Sequence, residues 1–191
     1  MEQRANVETY NGLRYYVSYR TIKYPRLEFK SGNLLAVLPK SGIGANEFIK
    51  KHESWVNNKA SIIKEALEEA KNRKLQVRSA DYNFKDFVSS LSLAFCGEFG
   101  FKVHKLYIRH MNSKWASYSQ RGNLTVNTLL RYLPDTLIDY VVFHEVAHSL
   151  EREHNKKFWR ILSKKFPNYG KFEKELLVYW FLIRNTQGSL Y

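Results

Sequence analysis

Three residues in the C-terminal half have the types and spacing of a metal-dependent hydrolytic site. His144, Glu145 and His148 form the pattern H-E-x-x-H. Residues four apart on a helix lie on one face about one turn apart, so both imidazoles can reach one ion. Zinc favours imidazole ligands, and three protein ligands leave a fourth position for a water molecule whose pKa the metal lowers. Glu145 is then placed to take the proton of that water.

A third ligand is available six residues beyond His148, at His154. In an unbroken helix, six residues would turn His154 about 120° away from His148 and raise it by about 9 Å, so the two could not share an ion. The helix must therefore end near residues 150–153 if His154 binds. The polar run Glu151-Arg152-Glu153 and a new helical pattern from Asn155 make such an end reasonable.

Two downstream carboxylates, Glu173 and Glu175, are the alternatives for the third ligand, because some peptidases take it from a later helix. Each of them also fits a solvated helix face, which is the interpretation we prefer. The histidine spacing equals that of metzincins, but those proteins have Gly where this chain has Glu151, and no Met follows the site for a Met-turn. A metzincin assignment therefore fits poorly.

The motif helix is predicted to be buried in a protein core. Pro134 and Asp135 open it, since Pro is tolerated in a first helical turn and Asp can accept exposed backbone amides there. Its apolar residues surround the axis instead of forming a stripe; they are Leu137, Ile138, Val141, Val142, Phe143, Val146, Ala147 and Leu150. Two histidines and a glutamate in such a helix would be costly without a partner.

The remaining patterns predict an α+β protein. Period-two segments at 101–110, 114–119 and 123–127 indicate three short strands in a small antiparallel sheet immediately before the site. Residues 13–38 indicate further strands with a hairpin, and one long helix is expected from Asn46 to Ala70. Helices are also expected from near Asp81 to Gly97, from Asn155 and from Gly170. We expect residues 1–80 to form an N-terminal part and 81–191 a metallopeptidase core, packed as one unit.

Composition limits the metal and the compartment. One cysteine, Cys96, excludes an intramolecular disulfide framework and a thiolate zinc cluster, so His and carboxylates must hold any metal. The first residues contain no apolar targeting segment, and no apolar run approaches the roughly 18 residues that suggest a membrane span. These features predict a cytoplasmic protein without a membrane partner.

The net charge of +13, from 31 Lys and Arg against 18 Asp and Glu, makes attraction to nucleic acid physically plausible. A basic cluster follows the site; it contains Lys156, Lys157, Arg160, Lys164 and Lys165. A basic helix is usually a solvated face, and the chain contains no recognised DNA-binding motif. Nucleic acid is therefore a second, weaker partner prediction, and the sequence does not indicate an oligomeric state.

Three segments, KWASYS, LTVN and LPDTLIDYVVFHEVAHSLEREHNKKFW, resemble in order and spacing the YgjP-like metallopeptidases, a minigluzincin-like group related to SprT-type and Wss1-type proteases. The resemblance covers roughly residues 100–165. It implies a zincin-like core with a small antiparallel sheet packed on helices, plus an N-terminal β-hairpin region and a long helix. The chain departs from the usual R-W-G-S-C-S at 114–119 and from the usual Asn at Glu153.

By that resemblance, Zn²⁺ would be held by His144, His148 and His154, with Glu145 as the catalytic base. The strand at 115–119 would be an edge along which an extended peptide lies; its substrate-binding residues would be Trp115, Ala116, Ser117 and Tyr118. Packing in the core is the alternative role for Trp115.

The sequence thus predicts a zinc-dependent metallopeptidase acting on peptides or proteins. The alternatives are a nucleic-acid-associated protease, a DNA-binding protein whose zinc is structural, and a degenerate scaffold that retains zinc without turnover. The intact Glu145 argues against the last of these.

Overall fold

A computed structural model of the chain describes residues 6–30, 32–40, 42, 44–75 and 83–188. Within these ranges it contains seven strands and six helices, so the predicted α+β class is confirmed. The strands are β1 (Asn6–Tyr10), β2 (Leu13–Arg20), β3 (Arg26–Lys30), β4 (Asn33–Pro39), β5 (Lys105–Arg109), β6 (Ala116–Tyr118) and β7 (Asn123–Asn127). The helices are α1 (Ala45–Lys51), α2 (Glu53–Lys71), α3 (Phe84–Phe99), α4 (Asp135–Ala147), α5 (Lys156–Ser163) and α6 (Tyr169–Gly188).

The chain divides into two compact units, residues 1–68 and 69–191. The predicted division at residue 80 lies outside the described residues and stays a prediction. No described helix is both long enough and apolar enough to cross a lipid bilayer.

The first unit contains a four-stranded sheet in the order β1-β2-β4-β3. The predicted hairpin is present as the antiparallel β3–β4 pair, although Ser31 of its turn lies outside the described residues. Alternate residues of the strands turn to one face, as the pleat requires, and form a core with α1 and α2. That core includes Tyr15, Leu34, Ala36, Leu38, Ile49 and Val56.

The single long helix expected from Asn46 to Ala70 is two helices, which meet at His52. A continuous helix would pair the Phe48 carbonyl with the amide of His52. That amide instead donates to Ile49 O at 2.9 Å, while a ring nitrogen of His52 lies 2.9 Å from Phe48 O. The local side-chain contact therefore replaces one helical bond and interrupts the helix.

The second unit contains a three-stranded sheet in the order β5-β7-β6. The β6–β7 hairpin is antiparallel as predicted, but β5 is parallel to β7, so the prediction of a wholly antiparallel sheet is wrong in this pair. The reason is the connection from β5 to β6, which crosses the end of β7. Period-two patterns indicate strands without indicating which strands pair.

Asn127 holds that crossing connection in place. Its buried side-chain amide donates to Met111 O and to Lys114 O, both at 2.7 Å. Its side-chain oxygen accepts from the amides of Met111 (3.3 Å) and Leu129 (3.1 Å). One side chain therefore pairs with four backbone groups around the start of β6.

Helix α4 is the centre of the second unit's core, as predicted. The side chains of Ile138, Val142, Phe143, Val146 and Ala147 have no measurable exposure. Phe143 contacts rings from α3 and from the segments that follow α3 and α5, with centroids 4.9–5.6 Å apart. The helix that carries the motif is thereby surrounded by apolar side chains.

Replacing Asn127 with Ala should lower the free energy of unfolding by about 2–3 kcal/mol, because part-buried backbone groups lose their hydrogen-bond partner. Urea unfolding followed by circular dichroism measures the change. Asn123→Ala, at the other end of β7, is the matched control and should have a much smaller effect. Equal midpoints for both variants would contradict the role given to Asn127.

Candidate metal centre

The structure brings His144, His148 and His154 together. Each imidazole offers a ring nitrogen, and the three nitrogens lie within 4.8 Å of one another. The Nε2 atoms of His144 and His154 are 2.9 Å apart. In the part of the chain that the structure describes, this is the one group of three His, Cys, Asp or Glu side chains close enough to hold a metal ion.

The end of α4 makes this convergence possible. The helix ends at Ala147, and His148 caps it. The amides of Leu150 and Glu151 both donate to Ala147 O, at 3.0 and 3.1 Å, and close a turn. The chain can then return to the site within six residues, as a shared ion requires. Leu150, expected among the buried residues of this helix, is 54% exposed because the helix has already ended.

His154 is oriented by the start of α5. Asn155 caps this helix by accepting from the amides of Lys157 (2.9 Å) and Phe158 (3.2 Å). Trp159 donates its indole N–H to the carbonyl of His154 at 2.9 Å and stacks on the imidazole, with centroids 5.7 Å apart. Trp159 therefore fixes both the backbone carbonyl and the ring of His154.

A single phenylalanine supports all three imidazoles. Phe158 is fully buried, and its ring centroid lies 4.9 Å from that of His144, 4.6 Å from His148 and 4.7 Å from His154. Sequence reasoning missed this role. The only available signal was an apolar residue four positions after His154.

Burial changes the proton affinity of the site residues. Desolvation, with smaller contributions from the neighbouring imidazoles, lowers the pKa of His144 to about 3. Burial also lowers the pKa of His148. Both rings are therefore neutral at pH 7, which is the state that a metal ligand needs.

Glu145 has the opposite shift for the same reason. Burial raises its pKa to about 7, opposed in part by the backbone amide of Tyr118, which donates to its carboxylate, and by the charge of Lys114. A carboxylate poised near neutrality suits a general base.

The two ring nitrogens of His148 have different roles. Nδ1 lies 3.0 Å from the carbonyl of Glu151, which can only accept a hydrogen bond, so Nδ1 carries the proton and Nε2 offers a lone pair. His144 directs its Nε2 to His154. Three convergent imidazoles are a donor set that fits zinc.

The two alternative ligands have other partners. Glu175 forms an ion pair with Arg73 at 2.7 and 3.0 Å, and this guanidinium holds the pKa of the carboxyl below its usual range. Glu173 accepts a hydrogen bond from Tyr140 and lies 3.8 Å from Nδ1 of His144. Neither joins the group of converging ligand atoms.

A cavity of about 610 Å³ opens over the three histidines and Glu145. One wall is β6 with its flanking residues, and Trp115, Ala116, Ser117 and Tyr118 all line it. That these residues bind substrate stays a prediction. Trp115 also packs edge-on against Trp180, with centroids 5.0 Å apart. Trp115 therefore packs against a neighbouring ring, as the alternative role required, and also lines the cavity.

Strand β6 is an edge of the sheet. The carbonyl of Trp115 accepts from the amide of Asn127 at 2.8 Å, and the amide of Ser119 donates to the carbonyl of Asn123 at 2.9 Å. The alternation of an antiparallel pair therefore directs the backbone groups of Ala116 and Tyr118 towards the cavity. The amide of Tyr118 uses this direction to reach Glu145.

Other candidate residues do not join the site. His52, His104 and His110 are outside the group, and His104 lies 2.8 Å from the carbonyl of Arg121. In the basic cluster, Lys165 packs over the ring of Phe166 and pairs with Asp139 at 3.7 Å. Lys157 also lies 3.9 Å from a carboxylate oxygen of Glu151. At least two of the five cations are thus paired within the fold, and nucleic-acid binding stays a prediction.

Comparisons with known proteins define the class. The profile of the YgjP-like metallopeptidase domain matches residues 60–178, and the chain belongs to this family. The resemblance drawn from the sequence is therefore confirmed.

Three more distant relatives complete the comparison. The chain is 36% identical over 50 residues to a UTP pyrophosphatase of Escherichia coli (strain K12), which covers 26% of this chain and 30% of that relative. The crystal structure of the zymogen of Pyrococcus abyssi abylysin is 24% identical with a TM-score of 0.44, over 47% and 91% of the two chains. That of Methanocaldococcus jannaschii jannalysin is 24% identical with a TM-score of 0.41, over 50% and 93%.

His154→Ala should bind markedly less zinc than the parent protein, because one of three converging donors is removed. Glu175→Ala should bind zinc as the parent does, because its carboxylate is paired with Arg73. Metal content after dialysis against a limiting chelator measures both. Full zinc occupancy in His154→Ala with a loss in Glu175→Ala would show that the third ligand is misassigned.

Proposed function

We propose that this chain is a zinc-dependent peptidase, with His144, His148 and His154 as the metal ligands and Glu145 as the general base. The observation that supports this most is the convergence of the three imidazoles beside a buried carboxylate, under a sheet edge. The single cysteine, Cys96, favours a reducing compartment, and we place the activity in the cytoplasm.

The donor set fits zinc, since three imidazole ligands leave one coordination position open. When bound, the ion would lower the pKa of a water molecule and polarise the scissile carbonyl. Glu145 would take a proton from the attacking water and pass it to the leaving amine. The amide of Tyr118 supports this role because it holds the carboxylate at the cavity wall.

The edge of β6 supports a peptide as the substrate. The groups that the register directs into the cavity include the N–H and C=O of Ala116 and the C=O of Tyr118. An extended peptide could pair with them as an added strand, so that backbone bonds give affinity and side-chain pockets give selectivity. The hydroxyl of Tyr118 donates to Lys102 O at 2.5 Å, which keeps this ring against the fold.

Hydrolysis of nucleoside triphosphates is the second candidate function. It is favoured by two exposed cations at the wall of the same cavity, Lys114 and Arg152, which could hold phosphate oxygens. The name of the Escherichia coli relative points to the same chemistry. In this case the attacking water would meet phosphorus instead of a carbonyl carbon, with Glu145 again accepting its proton.

Glu145→Gln should keep zinc and the folded state while hydrolysis falls by roughly 100-fold or more, because the amide cannot accept the proton. The assay compares an unstructured protein substrate and UTP on the same zinc-loaded preparations, with metal content measured alongside. Turnover at the parental rate would contradict the mechanism for either substrate.

Two cation variants separate the candidate functions. If the substrate is a triphosphate, Lys114→Ala and Arg152→Ala should each raise KM for UTP by about tenfold or more, because a charge-assisted contact is lost. Peptide cleavage should change less. Lys105→Ala, an exposed cation of β5 outside the cavity, is the matched control. A parent protein that cleaves protein substrate and leaves UTP intact would remove the second candidate.

A further inference from the structure

Nδ1 of His144 has no hydrogen-bond partner among the described residues, whereas Nδ1 of His148 has one. Nδ1 of His148 is paired with the carbonyl of Glu151 at 3.0 Å. Nδ1 of His144 is buried, and within the described ranges no polar atom lies at hydrogen-bond distance from it. A buried polar atom of this kind is costly unless a partner reaches it.

The nearest carboxylate is that of Glu173, whose Oε1 lies 3.8 Å from Nδ1 of His144. The side chain of Glu173 is 48% exposed, so its carboxylate has room to move. A movement of about 1 Å would bring the two atoms to the length of a charge-assisted hydrogen bond, roughly 2.8 Å.

Tyr140 holds this carboxylate close to His144. Its hydroxyl donates to the same Oε1 of Glu173, and its ring stacks on that of Phe172 with centroids 5.1 Å apart. Tyr140 precedes His144 by one helical turn on α4, and their rings are 6.0 Å apart. A buried phenol from α4 and a carboxylate from α6 are therefore directed to one side of the imidazole.

We propose that Glu173 is a positioning residue whose carboxylate accepts a hydrogen bond from Nδ1–H of His144, with Tyr140 fixing the carboxylate. The inference rests on the proposed metal site. The hydrogen bond would select the tautomer in which Nε2 of His144 carries a lone pair, and would fix the plane of the ring. A histidine held in this way needs no reorientation when a metal binds.

The geometry separates this role from that of a metal ligand. His144 faces His154 through Nε2 and faces Glu173 through Nδ1. The two nitrogens lie on opposite sides of the imidazole, so an ion at Nε2 is turned away from Glu173. Glu173 therefore acts through His144.

Zinc affinity is the first test, measured by competition with a chromogenic chelator on the full chain. Glu173→Ala should weaken zinc binding by about 10- to 100-fold, as expected when the partner of a ligating histidine is lost. Glu173→Gln should lose less, because its amide oxygen still accepts a hydrogen bond from Nδ1 of His144. His144→Ala should lose more than either, since it removes the ligand itself.

The tautomer of His144 is the second test, because a merely structural role for Glu173 would leave it unchanged. In zinc-free protein labelled with ¹⁵N at histidine, Nδ1 of His144 should carry the proton in the parent and in Glu173→Gln. In Glu173→Ala the shifts should move towards a mixture of tautomers. Tyr140→Phe should give an intermediate result, since the acceptor remains but is held less firmly.

Glu175→Ala is the matched control on the same helix. It loses the ion pair with Arg73 and should lower Tm while leaving zinc affinity and the His144 tautomer at parental values. A zinc affinity equal to that of the parent in Glu173→Ala would overturn the inference. So would a second pattern, in which Glu173→Ala loses as much zinc affinity as His144→Ala while His154→Ala binds nearly as well as the parent, because Glu173 would then be a ligand in place of His154. Absence of zinc binding by the parent would overturn the proposed function itself, and this inference with it.

Discussion

The candidate metal centre depends on where one helix ends. Had α4 continued, His154 would lie on another face of the helix from His148 and about 9 Å further along its axis. Its end at Ala147, closed by two amides on one carbonyl, turns the chain back so that six residues are enough. The turn also determines where α5 begins. It thereby places the ring of Phe158 against the three imidazoles.

Burial shifts the pKa values of the site residues. The same desolvation lowers the pKa of His144, which makes a lone pair available, and raises that of Glu145, which makes the carboxylate a stronger base. The opposite directions arise because the imidazole is charged when protonated and the carboxylate when deprotonated. Burying these side chains in a core helix costs free energy, and the same burial produces their pKa shifts. The aromatic rings around Phe143 contribute to this burial.

The β5-β7-β6 sheet places backbone groups at the wall of the cavity. β6 is only three residues long, yet its register sends the Tyr118 amide to Glu145 and leaves Ala116 at the cavity wall. That placement depends on Asn127, which holds the connection from β5 as it crosses the end of β7. The parallel β5–β7 pair is a consequence of this crossing, and a period-two pattern carries no information about it.

By itself the sequence determined the α+β class, the family, the buried motif helix and the three histidines, because periodicity and short spacings record which residues share a face. Only the tertiary structure decided the partners that come from distant segments. The break at His52, the ion pair that occupies Glu175 and the approach of Glu173 to His144 all depend on side-chain contacts absent from the pattern. Contacts of this kind form when separate helices pack, since the distance between them along the chain places no limit on their distance in space.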